Sequence, residues 1–214
     1  MNTDELIAAL GREPPRRLRF ASTAAVATAG LVALALVMTL SLTLLKSRDD
    51  LSLVLAIHDH VFLLKLVFTV AVVATTLVVV RDLSVPGRRV GRAAVFAAIP
   101  FIVVIVLALY QFATLQRNEP PHPHDTWFEC LWQIPALAVP AFVILAVTVR
   151  RLAPTNLVRT GAYIGLLAGG IGAVGYAFHC RDDDVAYVAL SYTFAILEMV
   201  LIGALLGPRV LRWS

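Results

Sequence analysis

The sequence predicts an all-α membrane protein, a bundle of six transmembrane helices with both termini in the cytoplasm. Composition, six long apolar runs and the placement of arginines lead to this prediction. Hydrophobic residues make up 59% of the 214 residues and charged residues only 15%, whereas soluble domains carry about 25% charged residues. A chain with so few charges cannot cover a water-facing surface, so most of its surface must face lipid.

Each apolar run matches the thickness of a bilayer, because a hydrocarbon core of ~30 Å needs about 20 helical residues. Backbone groups in lipid must be satisfied internally, so each run should be helical. The first run is longer than the about 7–15 apolar residues of a signal peptide and is expected to remain as a span. The predicted spans are residues 20–45, 61–80, 93–115, 130–149, 160–178 and 185–206, with a cytoplasmic segment 1–19 and tail 207–214.

Particular residues within the spans indicate how the helices pack. Five glycines of the fifth span lie near one face, which lets backbones approach closely, either within the bundle or in a homodimer through this glycine face: Gly161, Gly165, Gly169, Gly172 and Gly175. Lys65 lies near the outer end of the second span and is expected to reach the headgroups. Glu198 lies deeper in the last span and is expected to face the bundle or be protonated.

Orientation follows from the charges between the spans. Thirteen of the 18 Lys and Arg residues flank the spans on one side, and that side holds only four acidic residues. These basic residues are Arg12, Arg16, Arg17, Arg19, Arg81, Arg88, Arg89, Arg92, Arg150, Arg151, Arg159, Arg209 and Arg212. The positive-inside rule places this side, and with it both termini, in the cytoplasm.

The only two cysteines lie on the opposite, outer side. Cys130 opens the fourth span and Cys180 closes the fifth, and a short inner loop joins these spans into a hairpin that returns both thiols to similar depth. Adjacent helix axes lie about 8–10 Å apart, so a disulfide is allowed but not required. The pair is interpreted as a redox or thiophilic-metal switch, as a permanent disulfide, or as two unrelated small residues.

All five histidines also lie in or beside the outer loops. Imidazole and thiolate together suit zinc and similar ions, which makes His179, next to Cys180, and His122 and His124 candidate metal ligands. None of them has the spacing of a closed four-ligand structural site.

The cytoplasmic N-terminal segment contains a short amphipathic pattern. Leu6, Ile7 and Leu10 form an apolar stripe, and Arg16 and Arg17 follow where the chain meets the membrane. Such a helix is either an interfacial anchor or a docking helix for a cytoplasmic partner. No inner loop is long enough for a catalytic domain, so no enzyme is predicted. The arginines lie between apolar runs, so no direct nucleic-acid partner is expected either.

Several motifs resemble one known family. The chain is similar to NrsF, the negative-regulator-of-sigma-F family of bacterial inner-membrane anti-sigma factors. The motifs that carry the resemblance are Glu129-Cys130-Leu131, Arg150-Arg151-Leu152-Ala153-Pro154-Thr155, Tyr176-Ala177-Phe178-His179-Cys180 and the residues from Gly203 to Trp213.

The resemblance implies a multi-pass protein of the inner membrane that sequesters an extracytoplasmic-function sigma factor. It also implies that Cys130 and Cys180 sense heavy metal or oxidative stress, with a heavy-metal ion bound transiently and no obligatory cofactor. No motif assigns the sigma-binding surface, so the docking hypothesis rests on the cytoplasmic pattern: Leu6, Ile7, Leu10, Arg16, Arg17, Arg150 and Arg151. Two other classes remain open, a metal-ion or solute transporter using Glu198 and the outer histidines, and a periplasm-facing thiol oxidoreductase.

Overall fold

Six helices form the protein in the computed structural model, which describes residues 16–45, 60–84, 91–114, 126–180 and 184–212. All six are long and apolar enough to cross a membrane, and no strand occurs in these ranges. The all-α, six-helix prediction is therefore confirmed. The helices are α1 (Arg16–Leu40, extended by the π-helical turn Ser41–Leu45), α2 (His60–Leu83), α3 (Gly91–Thr114), α4 (Thr126–Arg150), α5 (Leu157–Ala177) and α6 (Val185–Val210).

Several helices extend beyond the apolar runs that predict them. Helix α4 begins at Thr126 and α6 continues to Val210, because the backbone hydrogen bonds of a helix continue into its polar flanks. Cys130 therefore lies in the second turn of α4 and not at its first residue. Within α6, the first turn Val185–Tyr187 is followed by a π-helical turn, Val188–Tyr192, before the regular helix resumes.

Helix α5 is the centre of the bundle. Every residue from 164 to 177 is buried, and α5 packs against α1, α2, α4 and α6. Helix α3 lies at the periphery and exposes large apolar side chains along most of its length. Because α5 contacts four helices, a displacement of α5 would change its packing against all four.

Glycines bring the backbones of α5 and α6 into direct contact. A β-carbon at Gly161 would collide with the carbonyl oxygen of Gly203, and one at Gly165 would collide with the carbonyl oxygen of Met199. Gly172 approaches α4, where an added β-carbon would lie 2.7 Å from the carbonyl oxygen of Ile134. The predicted close packing is confirmed. The chain's own helices occupy the glycine face, so this face is not available for the alternative, a homodimer.

The helices alternate in direction, so that the bundle has two distinct ends. We call the end at Leu45, Thr126 and Ala177 the cysteine end, and the end at Arg150 and Leu157 the arginine end. At the arginine end, the loop between α4 and α5 is closely defined. Ala153 has a left-handed backbone (φ 59°), and the side chain of Asn156 caps α5 by accepting a hydrogen bond from the Arg159 amide at 3.0 Å.

Candidate functional site

The two cysteines meet inside the cysteine end of the bundle. Cys130 comes from α4, and Cys180 follows the last turn of α5, where its amide donates to the carbonyl oxygen of Tyr176 at 3.0 Å. The side chains of Cys130 and Cys180 are neighbours, and no disulfide joins them. Cys130 is 0% and Cys180 4% exposed. The two thiols therefore lie in the same part of the bundle, and their interpretation as a switch stays a prediction.

Three buried tyrosines surround the thiols. The hydroxyl of Tyr187 lies 2.6 Å from the sulfur of Cys130, and Tyr176 is a second neighbour of that thiol. The ring of Tyr192 packs against that of Tyr176 with centroids 6.1 Å apart. The Tyr192 hydroxyl is buried and has no hydrogen-bond partner among the described residues. Tyr187 and Tyr192 belong to α6, so the site joins three helices.

Lys65 lies against the same site. Its side chain is completely buried, and its ammonium donates to the carbonyl oxygen of Cys180 at 3.4 Å. The expectation that Lys65 reaches the lipid headgroups is therefore wrong. Cys180 lies beyond the last residue of α5, so its carbonyl has no partner within that helix, and Lys65 donates to it from α2.

The predicted histidine ligands have different outcomes. His179 is half-buried, with its ring centroid 5.8 Å from that of Tyr176. His122 and His124 lie outside the described residues. Within the described ranges, no group of three or more His, Cys, Asp or Glu side chains is arranged to hold a metal ion. Metal ligation by these histidines stays a prediction. The candidate metal ligands that the structure places together are the two thiols.

Burial of the thiols leads to a labelling prediction. In native membranes, a bulky polyethylene-glycol maleimide is expected to leave both cysteines unmodified, and in SDS it should add two adducts, seen as gel shifts. As a control, Phe128→Cys in a cysteine-free background places a thiol where the native side chain is 81% exposed, and it should react in both conditions. Rapid labelling of native Cys130 or Cys180 would contradict the buried site.

The arginine end holds the described part of the predicted docking surface. Arg150 and Arg151 are exposed where α4 ends, and exposed Arg159 and Arg209 lie on the adjoining ends of α5 and α6. Leu6, Ile7 and Leu10 lie outside the described residues. Arg16 and Arg17 form the first turn of α1.

Glu198 does not face the bundle, which was one of the two alternatives predicted for it. It lies on the exposed face of α6, alongside Phe194, Leu197 and Leu201, which are also exposed. Met199, its neighbour in the chain, faces the core instead. A transport path through the bundle lined by Glu198 therefore has no support in this structure.

Comparison with known proteins identifies the family. The model of the family described as "negative regulator of sigma F" (NrsF) matches residues 8–213. The chain belongs to the NrsF family. Anti-sigma-F factor NrsF of Caulobacter vibrioides is 32% identical with both chains covered completely. Probable anti-sigma-F factor NrsF of Azospira oryzae is 32% identical, covering 81% of this chain and 82% of that one. No solved structure matches the chain.

Membership of the NrsF family confirms the resemblance seen in the motifs. The chain is an anti-sigma factor, and its partner is a sigma factor. Sequence patterns did not indicate the tyrosines or Lys65 as parts of the thiol site, although Tyr176 lies within one of the motifs. Tyr187 and Tyr192 are simply aromatic residues near a span end in the sequence, and the packing of α6 in the bundle brings Tyr187 to Cys130 and Tyr192 to Tyr176.

Proposed function

We propose that this NrsF protein retains an extracytoplasmic-function sigma factor at the inner face of the bacterial inner membrane and releases it when Cys130 and Cys180 react. The observation that carries the proposal is the buried contact between the only two cysteines, held at the cysteine end of an anti-sigma factor. The signal is either an oxidant or a thiophilic metal ion, because paired thiols respond to both.

The chemistry of each signal is defined by the thiol pair. An oxidant such as a hydroperoxide would form the bond between the two sulfurs. The hydroperoxide would accept two electrons and two protons from the thiols and be reduced to an alcohol and water. A soft cation would instead displace the two thiol protons and bind both sulfurs as thiolates. Both reactions draw α4 and the end of α5 together. Burial of both sulfurs disfavours exchange with another protein, so the oxidoreductase alternative gains no support.

The docking surface in this proposal lies at the arginine end, turned towards the cytoplasm as the positive-inside rule predicts. Arg150 and Arg151 are exposed there, and they end the same helix that carries Cys130 about 30 Å away. The N-terminal stripe of Leu6, Ile7 and Leu10 with Arg16 and Arg17 completes the proposed surface. The loop between α4 and α5 connects the two cysteine-bearing segments and would change shape when they move.

Co-purification tests the proposal. Tagged protein is isolated in mild detergent from its native host, before and after exposure to diamide or silver ion, and bound proteins are identified by mass spectrometry. We expect a sigma factor to be bound at rest and largely lost after exposure. Changing most of the protein from the bound to the released state requires a difference of several kcal/mol in binding free energy, which a disulfide or metal–thiolate bond can supply.

Matched serine variants identify the sensor. Cys130→Ser and Cys180→Ser should each retain the sigma factor after exposure, because neither can form a bond between two sulfurs. A sigma factor that remains bound to the wild type throughout would keep the anti-sigma role and reject these signals. A sigma factor released equally from the serine variants would place the sensor elsewhere.

A further inference from the structure

A hydroxyl–thiol contact ties α6 to the sensor thiols. The Tyr187 hydroxyl lies 2.6 Å from the Cys130 sulfur, and both side chains are almost fully buried. Tyr187 ends the first turn of α6, whose start is fixed by Asp184, since this side chain accepts a hydrogen bond from the Ala186 amide at 2.9 Å. The contact therefore joins Cys130 of α4 to a defined position on a third helix.

The residues directly after Tyr187 form the π-helical turn of α6. This turn, Val188–Tyr192, holds one more residue than a regular turn would need. Two of its side-chain oxygens, those of Ser191 and Tyr192, are buried without a hydrogen-bond partner among the described residues. Unsatisfied buried groups and a π-turn both cost free energy, so this turn is a place where α6 can change register at low cost.

We propose that Tyr187 is a positioning residue that transmits the chemical state of Cys130 to α6, with Val188–Tyr192 as the turn that rearranges. This inference rests on the proposed function of the thiol pair. When a hydroperoxide joins the two sulfurs, Cys130 loses its proton and its sulfur moves towards Cys180. A disulfide sulfur has no proton to donate and accepts hydrogen bonds weakly, so the contact with Tyr187 is lost.

Release of Tyr187 affects the arginine end through the packing of α5 and α6. These helices touch backbone to backbone at Gly161 and Gly203, so they cannot easily slide past each other there. A shift of α6 carries α5 with it, and the relative motion appears between this helix pair and α4. The loop that joins α4 to α5, with Ala153 in a left-handed conformation, is then the segment that absorbs the motion beside Arg150 and Arg151.

Tyr187→Phe tests the inference, because it removes the hydroxyl and leaves the ring. Without stress, the variant is expected to release the sigma factor partly, raising sigma-dependent transcription by roughly two- to tenfold, the effect of losing one hydrogen bond. Both cysteines should remain reduced, as shown by alkylation after denaturation. Tyr110→Phe is the matched control, since its side chain is 67% exposed on the peripheral helix α3, and it should behave as the wild type.

A pair of variants at Cys130 provides an independent test if Tyr187→Phe does not accumulate. Serine retains a hydroxyl that can bond to Tyr187, whereas alanine does not. Cys130→Ala should therefore raise resting transcription as Tyr187→Phe does, and Cys130→Ser should not. Equal resting transcription in the two Cys130 variants, or a Tyr187→Phe variant that retains and releases the sigma factor like the wild type, would overturn the inference alone. Absence of any sigma factor from the wild type would overturn the proposed function as well.

Discussion

Replacing Gly203 by valine is expected to prevent assembly of the bundle. A β-carbon at this position would collide with the carbonyl oxygen of Gly161 and lie 3.0 Å from the α-carbon of Gly165. These atoms belong to the backbone, so no rotamer change can relieve the overlap. Overpacking in a core costs about 1–3 kcal/mol where side chains can adjust, and this substitution should exceed that range. The measurement is the yield of monodisperse protein in gel filtration and its apparent melting temperature.

Gly30→Ala is the matched control for this prediction. Gly30 also lies within a helix, but a β-carbon there would meet only the end of the Leu77 side chain, at 3.3 Å. The flexible leucine can move by the few tenths of an ångström required, and alanine favours a helix over glycine by about 1 kcal/mol. Yield and melting temperature should therefore equal or exceed those of the wild type. A Gly203→Val protein that behaves like Gly30→Ala would contradict the backbone contact between α5 and α6.

The number and order of the helices could be predicted because lipid imposes strict requirements on each span. A run of about 20 apolar residues has few alternatives to a helix in a bilayer, and the six runs are separate in the sequence. The glycine pattern of the fifth span likewise indicated close packing. It did not identify the partners, because α5 is surrounded by other helices, and its glycines meet α6 at Gly161, α4 at Gly172 and α1 at Gly175.

The orientation of individual side chains could not be predicted from depth alone. Lys65 lies near a helix end and was expected to reach the headgroups, but it points into the bundle. For Glu198, one of the two expectations placed it inside the bundle, but it is exposed. Apolar residues occur on all sides of a membrane helix, so hydropathy does not distinguish the face that meets lipid from the face that meets protein.

The thiol pair was the part of the site that sequence could anticipate. Cys130 and Cys180 lie at the open end of a hairpin of two helices joined by a short loop, so chain connectivity alone returns them to the same end of the bundle. Apart from Tyr176, which lies on α5, the remaining groups come from α2 and α6, which connectivity does not place beside Cys130. Their contacts depend on how α5 packs with each neighbour, and that information is distributed over many small residues.

Reversing the charge at Lys65 is the second substitution with a large expected effect. The buried ammonium donates to the carbonyl oxygen of Cys180. Lys65→Glu would place a carboxylate against that carbonyl, so that two acceptors face each other in a site sealed from water. Burying a carboxylate without a donor costs several kcal/mol, and little folded protein should remain by gel filtration.

Lys65→Met separates the effect of the charge from the effect of packing. Methionine fills a similar volume without a charge to desolvate, and such replacements of buried charges are often tolerated. The Cys180 carbonyl would still lose this hydrogen bond, at a cost of about 1–3 kcal/mol. We therefore expect a folded protein with a lowered melting temperature. Leu63→Glu, near the same helix end but on an exposed position of α2, should cost less than Lys65→Glu, because a carboxylate there can reach the nearby headgroup region. If Lys65→Glu matched Leu63→Glu in yield and melting temperature, Lys65 would be facing outwards, and the buried contact that joins α2 to the end of α5 would be wrong.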